Sequence, residues 1–407
     1  MMQLNFARLG AVAVLCVLAA CSAKTATDAT ADGADAVADA SGSDATAADA
    51  ASVDVAADAT SVSPLSWPVG KAGPYACGLR IEQMTYMLPG KLGPRTVPLY
   101  IWYPASQAVG AHPAYMGAFE DPKSWLNAPL APSPYAAGYP VLEHGHGYQG
   151  FAGNSADLMC HIASHGWVAL APEHVGNTLV DTPPQLPLVH SLHRVYDNRA
   201  ALDWAFAPPV GDALVGKLDT AHIGMSGHSF GSYDVWAAAG GLFDVPYIEA
   251  QCATGHWPDC AAALIYLFKA DLSDPRVATF ISLAGDGSDL LSHAGRNAVK
   301  RPFLQMNGTL NDSGETGLFN DVTGVDLTWV DIEGGCHQLY GLGNSINGGP
   351  ECKALGDEEG FALVRPWYLA WLRYHALGDR SPEVTGIVTG TISVSPKVAF
   401  KHKAPQP

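Results

Sequence analysis

A serine between two glycines, in the segment Gly-His-Ser-Phe-Gly at 227–231, is the first feature of the sequence that indicates chemistry. It follows a short β-like run, His222–Ser226, and precedes a stretch of helical character. Because glycine has no Cβ, the two glycines permit a sharp turn that lifts the Ser229 hydroxyl above a sheet. The amide of Phe230, in the first helical turn, has no partner inside the helix and can donate to an oxyanion. The segment therefore predicts a nucleophilic serine and one oxyanion donor.

The residue predicted to act as a base is His337. A serine hydroxyl is a weak nucleophile and needs such a base beside it. His337 follows the last predicted strand, Leu327–Ile332, and serine sites at a strand–turn–helix junction use the chain order serine, acid, histidine. Most of the other fourteen histidines are less well placed. The order predicts an acid between Ser229 and His337.

Two aspartates are candidates for that acid. Asp312 follows the β-like run Pro302–Asn307 and lies 83 residues after the serine and 25 before the histidine. Asp286 follows the preceding run, Thr279–Leu283. Either residue could instead be a turn-forming aspartate. We favour Asp312 as the acid and keep Asp286 as the alternative.

A glycine-rich loop, His-Gly-His-Gly-Tyr at 144–148, follows another β-like run, Tyr139–Glu143. Loops of this kind aim a second amide at the oxyanion, and we expect the amide of His146 to do so beside that of Phe230. In an alternative interpretation His144 and His146 bind a metal ion. No carboxylate or third histidine stands at ligand spacing, which disfavours this alternative. The predicted chemistry needs neither a metal nor a cofactor.

Short β-like runs alternate with longer helical stretches over the last 340 or so residues. The predicted strands are Pro98–Trp102, Tyr139–Glu143, Trp167–Ala171, His222–Ser226, Thr279–Leu283, Pro302–Asn307 and Leu327–Ile332. The predicted helices are Ala156–Ser164, His193–Phe206, Phe230–Gly240 and roughly Glu358–Leu377. Apolar strands that are each followed by a helix imply a mostly parallel sheet covered on both faces. We therefore predict the α/β class, with a central sheet of about eight strands and the chemistry at the carboxyl ends of the strands.

The first twenty residues predict an export signal. Arg8 supplies a positive charge, and Leu9–Ala20 is an apolar run of 12 residues, whereas a membrane-spanning helix takes about 20. The run ends in Leu-Ala-Ala-Cys, which resembles a bacterial lipobox, a motif whose cysteine is lipidated and becomes the mature N-terminus. We expect residues 1–20 to be a lipoprotein signal peptide and Cys21 to anchor the protein to a membrane surface.

Residues 21–66 are rich in Ala, Asp, Ser and Thr and predict a disordered tether. Eight aspartates face one lysine there, so this stretch supplies −7 of the net charge of −17. Evenly spaced like charge with almost no aromatic residues cannot bury enough surface to offset chain entropy. Calcium binding is disfavoured because the turn glycines and closing glutamate of a calcium loop are missing. Residues 67–407 are then one globular domain.

Beyond Cys21 the sequence has six cysteines. An even number in an exported chain predicts three disulfides, for which 15 connectivities exist. Proximity in the sequence suggests one set of pairs: Cys252–Cys260, Cys336–Cys352 and, from what remains, Cys77–Cys160.

The overall composition narrows the class of function. The chain has 407 residues, of which 48% are hydrophobic, enough for a large core, so a wholly disordered chain and a disulfide mini-protein are excluded. Acidic residues outnumber basic ones by 39 to 22, and no basic stripe runs along the chain. Such a chain would repel a phosphate backbone, so nucleic-acid binding is excluded.

These residues together resemble the α/β-hydrolase fold and, more narrowly, the bacterial dienelactone-hydrolase-like proteins related to platelet-activating-factor acetylhydrolase. The resemblance covers roughly residues 71–379. It rests on seven segments in order: VPLYIWYPAS (97–106), YPVLEHGHG (139–147), APEHVGNT (171–178), DNRAALDW (197–204), IGMSGHSFG (223–231), RPFLQMNGT (301–309) and YHALGD (374–379). It implies a serine carboxylester hydrolase with Ser229 as the nucleophile, Asp312 as the acid and His337 as the base.

The chain departs from these relatives at the acid. Relatives often carry it three residues after the glycine that ends the strand, where this chain has Asn311. Asp312 comes one residue later, as in cutinase-like polyester hydrolases. Relatives of the acetylhydrolase take the acid from the preceding strand, as Asp286 would. In addition, the segment 243–270 resembles an insertion, either a disulfide-stapled cap over the site or a surface loop.

The sequence leads to one expected function and two alternatives. We expect hydrolysis of a small-molecule, lipid or polymer ester through Ser229, by a protein anchored through lipid in a bacterial cell envelope, at the periplasmic or outer surface. An inactive hydrolase-like surface lipoprotein that acts as a binder is one alternative, which the presence of all triad residues disfavours. A peptidase or amidase of the same fold is the other. Relatives of that kind usually carry an added propeller domain, for which 407 residues leave no room.

Overall fold

The computed structural model describes residues 63–285, 287, 290–311, 316–347 and 349–405. The predicted signal peptide, the Cys21 anchor and nearly all of the tether lie outside these residues. Both candidate acids, Asp286 and Asp312, lie outside them as well. The signal peptide, the anchor, the tether and the identity of the acid therefore stay predictions.

A single large sheet forms the centre of the described chain. The strands in chain order are β1 (Ala76–Met87), β2 (Pro94–Ala105), β3 (Ala114–Tyr115), β4 (Phe119–Glu120), β5 (Ser124–Leu126), β6 (Tyr139–Gly145), β7 (Val168–Pro172), β8 (Leu218–His228), β9 (Thr279–Leu283), β10 (Phe303–Gly308), β11 (Leu327–Ile332) and β12 (Val398–Lys403). Among the described residues ten strands join this sheet, in the order β12-β11-β10-β9-β8-β6-β7-β2-β1-β5, and β3 and β4 pair separately. From β11 to β7 the neighbouring strands are parallel. The antiparallel pairs are β7 with β2, β2 with β1, and β11 with β12.

Helices cover both faces of the sheet. In chain order they are α1 (Ala156–Ser164), α2 (His190–Phe206), α3 (Gly231–Ala238), α4 (Val245–Ala253), α5 (Ala262–Leu267), α6 (His293–Asn297), α7 (Thr316–Asp321), α8 (Pro350–Lys353), α9 (Asp357–His375) and α10 (Pro382–Val388). Short 3₁₀ helices occur at Pro64–Ser66, Ala152–Ser155, His337–Tyr340 and Asn344–Asn347. None of the helices within the described ranges has the length and apolar character needed to cross a membrane.

The core consists of two apolar clusters, one on each face of the sheet. Successive residues of β6 enter different clusters: Val141 packs with residues of α2 and α3, and Leu142 packs with residues of α1 and α9. This alternation follows from the two-residue period of a strand. Strands β7 and β9 are buried at every position, as expected for parallel strands with helices on both faces.

The structure adds elements that the sequence did not predict at the two edges of the sheet. The sheet has ten strands in the described chain, where we expected about eight. Most of the long strand β1 alternates between more buried and more exposed residues, and β12, with three basic residues in its six, has no buried residue. Such strands lack the continuous apolar run that marks a central strand, because one face of an edge or antiparallel strand meets water.

The predicted insertion, residues 243–270, contributes the two short helices α4 and α5. Its apolar side chains Phe243, Ile248, Leu264 and Phe268 are buried in the core cluster that contains Val141. The segment is therefore anchored to the fold rather than loosely attached.

The six cysteines form three disulfides in the arrangement suggested by their proximity in the sequence. The pairs and their sequence separations are Cys77–Cys160 with 83 residues, Cys252–Cys260 with 8, and Cys336–Cys352 with 16. The first pair connects β1 to α1, the second links the end of α4 to the approach to α5, and the third connects the residue before His337 to α8.

Candidate active site

Ser229 lies at the sharp turn between β8 and α3 that the sequence predicted. Its φ of +56° is in the left-handed region, which a residue with a Cβ rarely adopts. The flanking glycines are required by close backbone approach: a Cβ on Gly227 would lie 2.2 Å from the oxygen of Gly231, and a Cβ on Gly231 would lie 2.2 Å from the oxygen of Gly145. The turn is held on its other side by a hydrogen bond of 2.8 Å from the Ser229 amide to the oxygen of Leu283.

His337 contacts Ser229 directly. The distance between His337 Nε2 and Ser229 Oγ is 2.7 Å, although 108 residues separate the two in the chain. The hydroxyl donates to Nε2, so the proton of the neutral imidazole is on Nδ1. The structure thus brings together the nucleophile and the base that the sequence predicted, at the distance that proton transfer requires.

Asn311 occupies the position next to the other nitrogen of the base. Its Oδ1 lies 3.1 Å from His337 Nδ1 and accepts the proton that this tautomer carries there. The turn that carries Asn311 is fastened to the base loop, because Leu310 donates to the oxygen of Gly335 over 2.9 Å. Asp312 is the next residue in the chain. The described part of the structure therefore shows an amide oxygen at Nδ1, with both carboxylate candidates outside it.

Several residues that the sequence did not single out hold the loop of His337. The ring of His228 donates from Nε2 to the oxygen of His337 over 2.8 Å. Asn344 accepts from the Cys336 amide over 2.7 Å and donates to the oxygen of Cys352 over 2.6 Å, so one side chain bridges both ends of the adjacent disulfide. His228 lies inside the Gly-His-Ser-Phe-Gly motif, which was a signal for its proximity. Nothing in the sequence marked Asn344.

Burial controls the protonation of the site's histidines. Desolvation lowers the pKa of His337 to about 4, so its imidazole is neutral at neutral pH and able to accept the serine proton. Burial and the neighbouring His337 also lower the pKa of His228 well below its usual value. A neutral His228 with its proton on Nε2 matches its hydrogen bond to a carbonyl.

The glycine-rich loop after β6 lies against the nucleophile at Gly147. A Cβ on Gly147 would lie 3.0 Å from Ser229 Cβ and 3.5 Å from Ser229 Oγ, so only glycine approaches this closely without strain. Phe230, the other predicted donor, immediately precedes the first residue of α3. The loop and the helix start are therefore adjacent to the same hydroxyl. That the amide of His146 is the second oxyanion donor stays a prediction.

His144 and His146 do not converge on a common point. His144 Nδ1 lies 2.8 Å from Ser226 Oγ, on the side of the sheet where Tyr368 of α9 packs. Both ring nitrogens of His146 have backbone partners, Gly147 and His174. Within the described ranges no group of three or more His, Cys, Asp or Glu side chains is arranged to hold a metal ion.

A buried polar cluster lies directly behind the glycine-rich loop. We use the name polar cluster for His146, His174, Arg194, Asp197 and Asp234, each with at most 1% of its surface exposed. His174 Nδ1 lies 2.9 Å from Asp197 Oδ2, and Arg194 Nε donates to Asp234 Oδ2 over 3.1 Å. His174 and Asp197 lie in two of the segments that carry the family resemblance, but nothing in their spacing indicated that the ends of β6 and β7 and the helices α2 and α3 bring this cluster together.

Three aromatic side chains form a group around Phe230, the residue that follows the serine. The ring of Phe230 lies 6.4 Å from that of Tyr148 and 5.4 Å from that of Tyr233, both in edge-on geometry. Tyr148 is 39% exposed, whereas Phe230 and Tyr233 are partly buried. The exposed part of this group, at Tyr148, is an aromatic surface next to Phe230.

Comparison with known proteins bears on the fold alone. No protein-family model matches the sequence, and no curated protein sequence does. Among solved structures, that of a ferulic acid esterase from Streptomyces cinnamoneus is similar, with a TM-score of 0.56 and 18% sequence identity over 83% of this chain and 98% of that one. Together with the mostly parallel sheet and its covering helices, this similarity assigns the α/β-hydrolase fold, and the predicted fold class is confirmed.

Proposed function

We propose that this protein is a serine hydrolase that acts on carboxylic esters. The single observation that carries the proposal is the 2.7 Å contact between His337 Nε2 and Ser229 Oγ at a strained turn over the carboxyl end of the sheet. A nucleophile and a neutral base in hydrogen-bond contact are the minimum equipment for acyl transfer. The similarity of the fold to a ferulic acid esterase supports the same class of reaction.

The proposed reaction has two steps that both use the same pair of residues. Ser229 Oγ attacks the ester carbonyl carbon while His337 Nε2 accepts the hydroxyl proton, and the oxyanion is held by the amide of Phe230 and one of the glycine-rich loop, for which the sequence indicates His146. The bond to the alcohol then breaks, and His337 returns the proton to the departing oxygen. Water attacks the acyl-serine, His337 takes a proton from it, and release of the acid restores the hydroxyl.

Asp312 is the proposed acid that orients His337, with Asp286 as the alternative. The hydrogen bond from His337 Nδ1 to Asn311 supports Asp312 over Asp286, because Asn311 and Asp312 are consecutive in the chain. We expect Asp312→Asn to reduce kcat by about 10³-fold, since a lost carboxylate leaves the developing imidazolium uncompensated. We expect Asn311→Leu to lower kcat by about 10-fold, because it removes the amide oxygen that accepts from His337 Nδ1. Full activity of Asp312→Asn, with activity lost in Asp286→Asn, would transfer the role to Asp286.

The substrate class is an ester of a small molecule, a lipid or a polymer, and the site favours an apolar group on one side of the ester. The exposed ring of Tyr148 beside Phe230 supports this proposal. Flat or aliphatic groups bind to aromatic faces because the contact removes apolar surface from water. The narrower assignment, to enzymes like dienelactone hydrolase or the acetylhydrolase, rests on the sequence resemblance. The proposed lipid anchor at Cys21 and the location in a bacterial cell envelope rest on the signal-like N-terminus and its resemblance to a lipobox.

Hydrolysis of p-nitrophenyl esters of increasing acyl length tests the proposal. We expect wild-type turnover that Ser229→Ala abolishes, while the circular dichroism spectrum and melting temperature stay near those of wild type. Ser106→Ala, which removes a serine just past the end of β2, is the matched control and should keep full activity. Labelling by a fluorophosphonate should likewise disappear only in Ser229→Ala. Equal ester hydrolysis by wild type and Ser229→Ala would refute the proposal, and a folded wild type that neither turns over nor labels would favour a binding protein.

A further inference from the structure

The glycine-rich loop is held from behind through two successive carbonyl groups. The guanidinium of Arg194 donates through Nη2 to the oxygen of His146. The His146 ring itself lies with Nδ1 2.9 Å from the oxygen of Gly147, which also accepts from the Gly150 amide over 3.0 Å. The peptide units between His146 and Tyr148 thus have both carbonyl oxygens directed toward buried donors.

The protonation state of the His146 ring follows from its partners. The backbone amide of His174 donates to Nε2 over 3.0 Å, so Nε2 carries no proton. The proton of the neutral ring must then be on Nδ1, where it is donated to the oxygen of Gly147. Burial, together with the nearby His174 and Arg194, lowers the pKa of His146 and keeps the ring neutral. One tautomer therefore satisfies every contact of the ring.

The positions of these carbonyls determine where the adjacent amides point. In a trans peptide unit the N–H is directed opposite to the C=O, and no cis peptide bond occurs in the described chain. With the oxygens of His146 and Gly147 turned toward the polar cluster, the amides of Gly147 and Tyr148 are directed away from it. Gly147 is the loop residue that lies against Ser229. The bonds behind the loop therefore control the orientation of amides next to the nucleophile.

Arg194 also contacts the second segment that borders the nucleophile. Its guanidinium lies 4.7 Å from the centre of the Phe230 ring, and its Nε donates to Asp234 of α3. A third donor, Nη1, reaches Asn177 Oδ1 over 2.9 Å. Burying a guanidinium completely is costly unless its charge is paired and its donors are satisfied. Here one buried side chain meets this condition by linking the loop at His146 to the start of α3.

We propose that Arg194 and the imidazole of His146 are positioning residues that hold the glycine-rich loop and the start of α3 in register, so that their amides face the oxyanion formed at Ser229. The inference rests on the proposed function. It gives His146 a role through its side chain, whatever its own amide does. The two residues act through the peptide groups that they bind and do not touch the substrate.

The test compares variants that keep or lose one hydrogen bond. In His146→Asn the side-chain amide occupies the position of Nδ1 and still donates to the oxygen of Gly147, whereas His146→Leu has no donor. Arg194→Lys keeps the charge beside Asp234 but cannot reach three partners at once. Arg199→Lys, on the same helix and bonded to the oxygens of Leu272 and Ser273, is the matched control.

We expect His146→Leu and Arg194→Lys to lower kcat by about 10-fold to 100-fold with KM changed less than about 3-fold, because a misplaced donor weakens transition-state binding most. The inhibition constant of phenylboronic acid, whose adduct with the serine places an oxygen at the oxyanion position, should rise in parallel. His146→Asn should recover most of the loss, and Arg199→Lys should behave as wild type.

Three results would overturn the proposal. The first is a kcat within twofold of wild type in both His146→Leu and Arg194→Lys. The second is equal loss in His146→Asn and His146→Leu when both have the wild-type melting temperature. The third is failure of both Arg194→Lys and His146→Leu to fold, which would assign these side chains to stability alone. If only His146→Leu fails to fold, the proposal is decided by comparing the kcat of Arg194→Lys with that of the control Arg199→Lys. Failure of the proposed function itself is recognised separately, by ester hydrolysis that survives Ser229→Ala.

Discussion

The base of the site, His337, is neutral because it is buried. A charged imidazolium loses its hydration on burial, so its pKa falls from the usual 6.5 to about 4. The imidazole is then neutral, and its Nε2 can accept the proton of the serine hydroxyl, over a wide pH range. A carboxylate at Nδ1 would act in the opposite direction and favour the charged ring.

This protonation predicts the acid limb of the pH profile. The base works when it has lost its proton, so kcat/KM for a p-nitrophenyl ester should rise with pH, reach half its maximum near pH 4 and be flat through neutrality. Circular dichroism at each pH controls for acid unfolding. A limb centred at pH 6.5 or above would contradict the prediction that burial outweighs the proposed acid in setting the pKa of His337.

At the scale of elements, α2 begins earlier than the sequence indicated, at His190 rather than His193. The cause is a contact from another part of the chain. Asp259, between α4 and α5, accepts from the amide of Leu188 over 2.7 Å and from that of Val189 over 3.0 Å. These amides lie at the helix N-terminus, where they have no partner within the helix. The capping carboxylate is about 70 residues away in sequence, so local patterns could not reveal it.

Removing this cap should destabilise the protein without changing its chemistry. We expect Asp259→Ala to lower the free energy of unfolding by about 1–2 kcal/mol, the range for a lost helix N-cap, as measured by urea unfolding. Asp203→Ala, which breaks an ion pair between an exposed carboxylate and Arg276, is the control and should change it by less than about 1 kcal/mol. Equal effects of the two substitutions would refute the capping role.

At the scale of the whole molecule, the disulfides close loops of very different length. Cross-linking removes entropy from the unfolded chain in proportion to the logarithm of loop length, in the chain-entropy account. The bond Cys77–Cys160 closes 83 residues, and Cys252–Cys260 closes 8. The first therefore constrains the unfolded chain more than the second.

The two double variants should differ accordingly in stability. Replacing Cys77 and Cys160 by alanine should lower the free energy of unfolding by about 4.5 kcal/mol, and replacing Cys252 and Cys260 by about 2.5 kcal/mol. Guanidinium unfolding of the oxidised proteins, with free thiols counted to confirm the remaining bonds, provides the measurement. A larger loss from the shorter loop would contradict the entropic ranking.

The elements that the sequence predicted best are those in which local pattern and burial agree. Helix Ala156–Ser164 and the strands Thr279–Leu283 and Leu327–Ile332 have the predicted bounds. Strands such as β7 and β9 are buried at every position because both faces are covered, and this burial produces a largely apolar run in the sequence. The edge strand β12 was missed, since half of its residues meet solvent and its side chains are largely basic.

The contact between Ser229 and His337 could be predicted from the sequence, because a strained turn requires glycines at set positions and the order of strands limits where a base can follow. The supports of the site could not be. The supporting side chains, Asn344, His228 and Arg194, act through hydrogen bonds to backbone atoms. Every residue type has the same backbone groups, so such a bond does not constrain the type of the residue that it reaches. Which side chain reaches which carbonyl depends on the packing of helices against the sheet, and only the tertiary structure decides it.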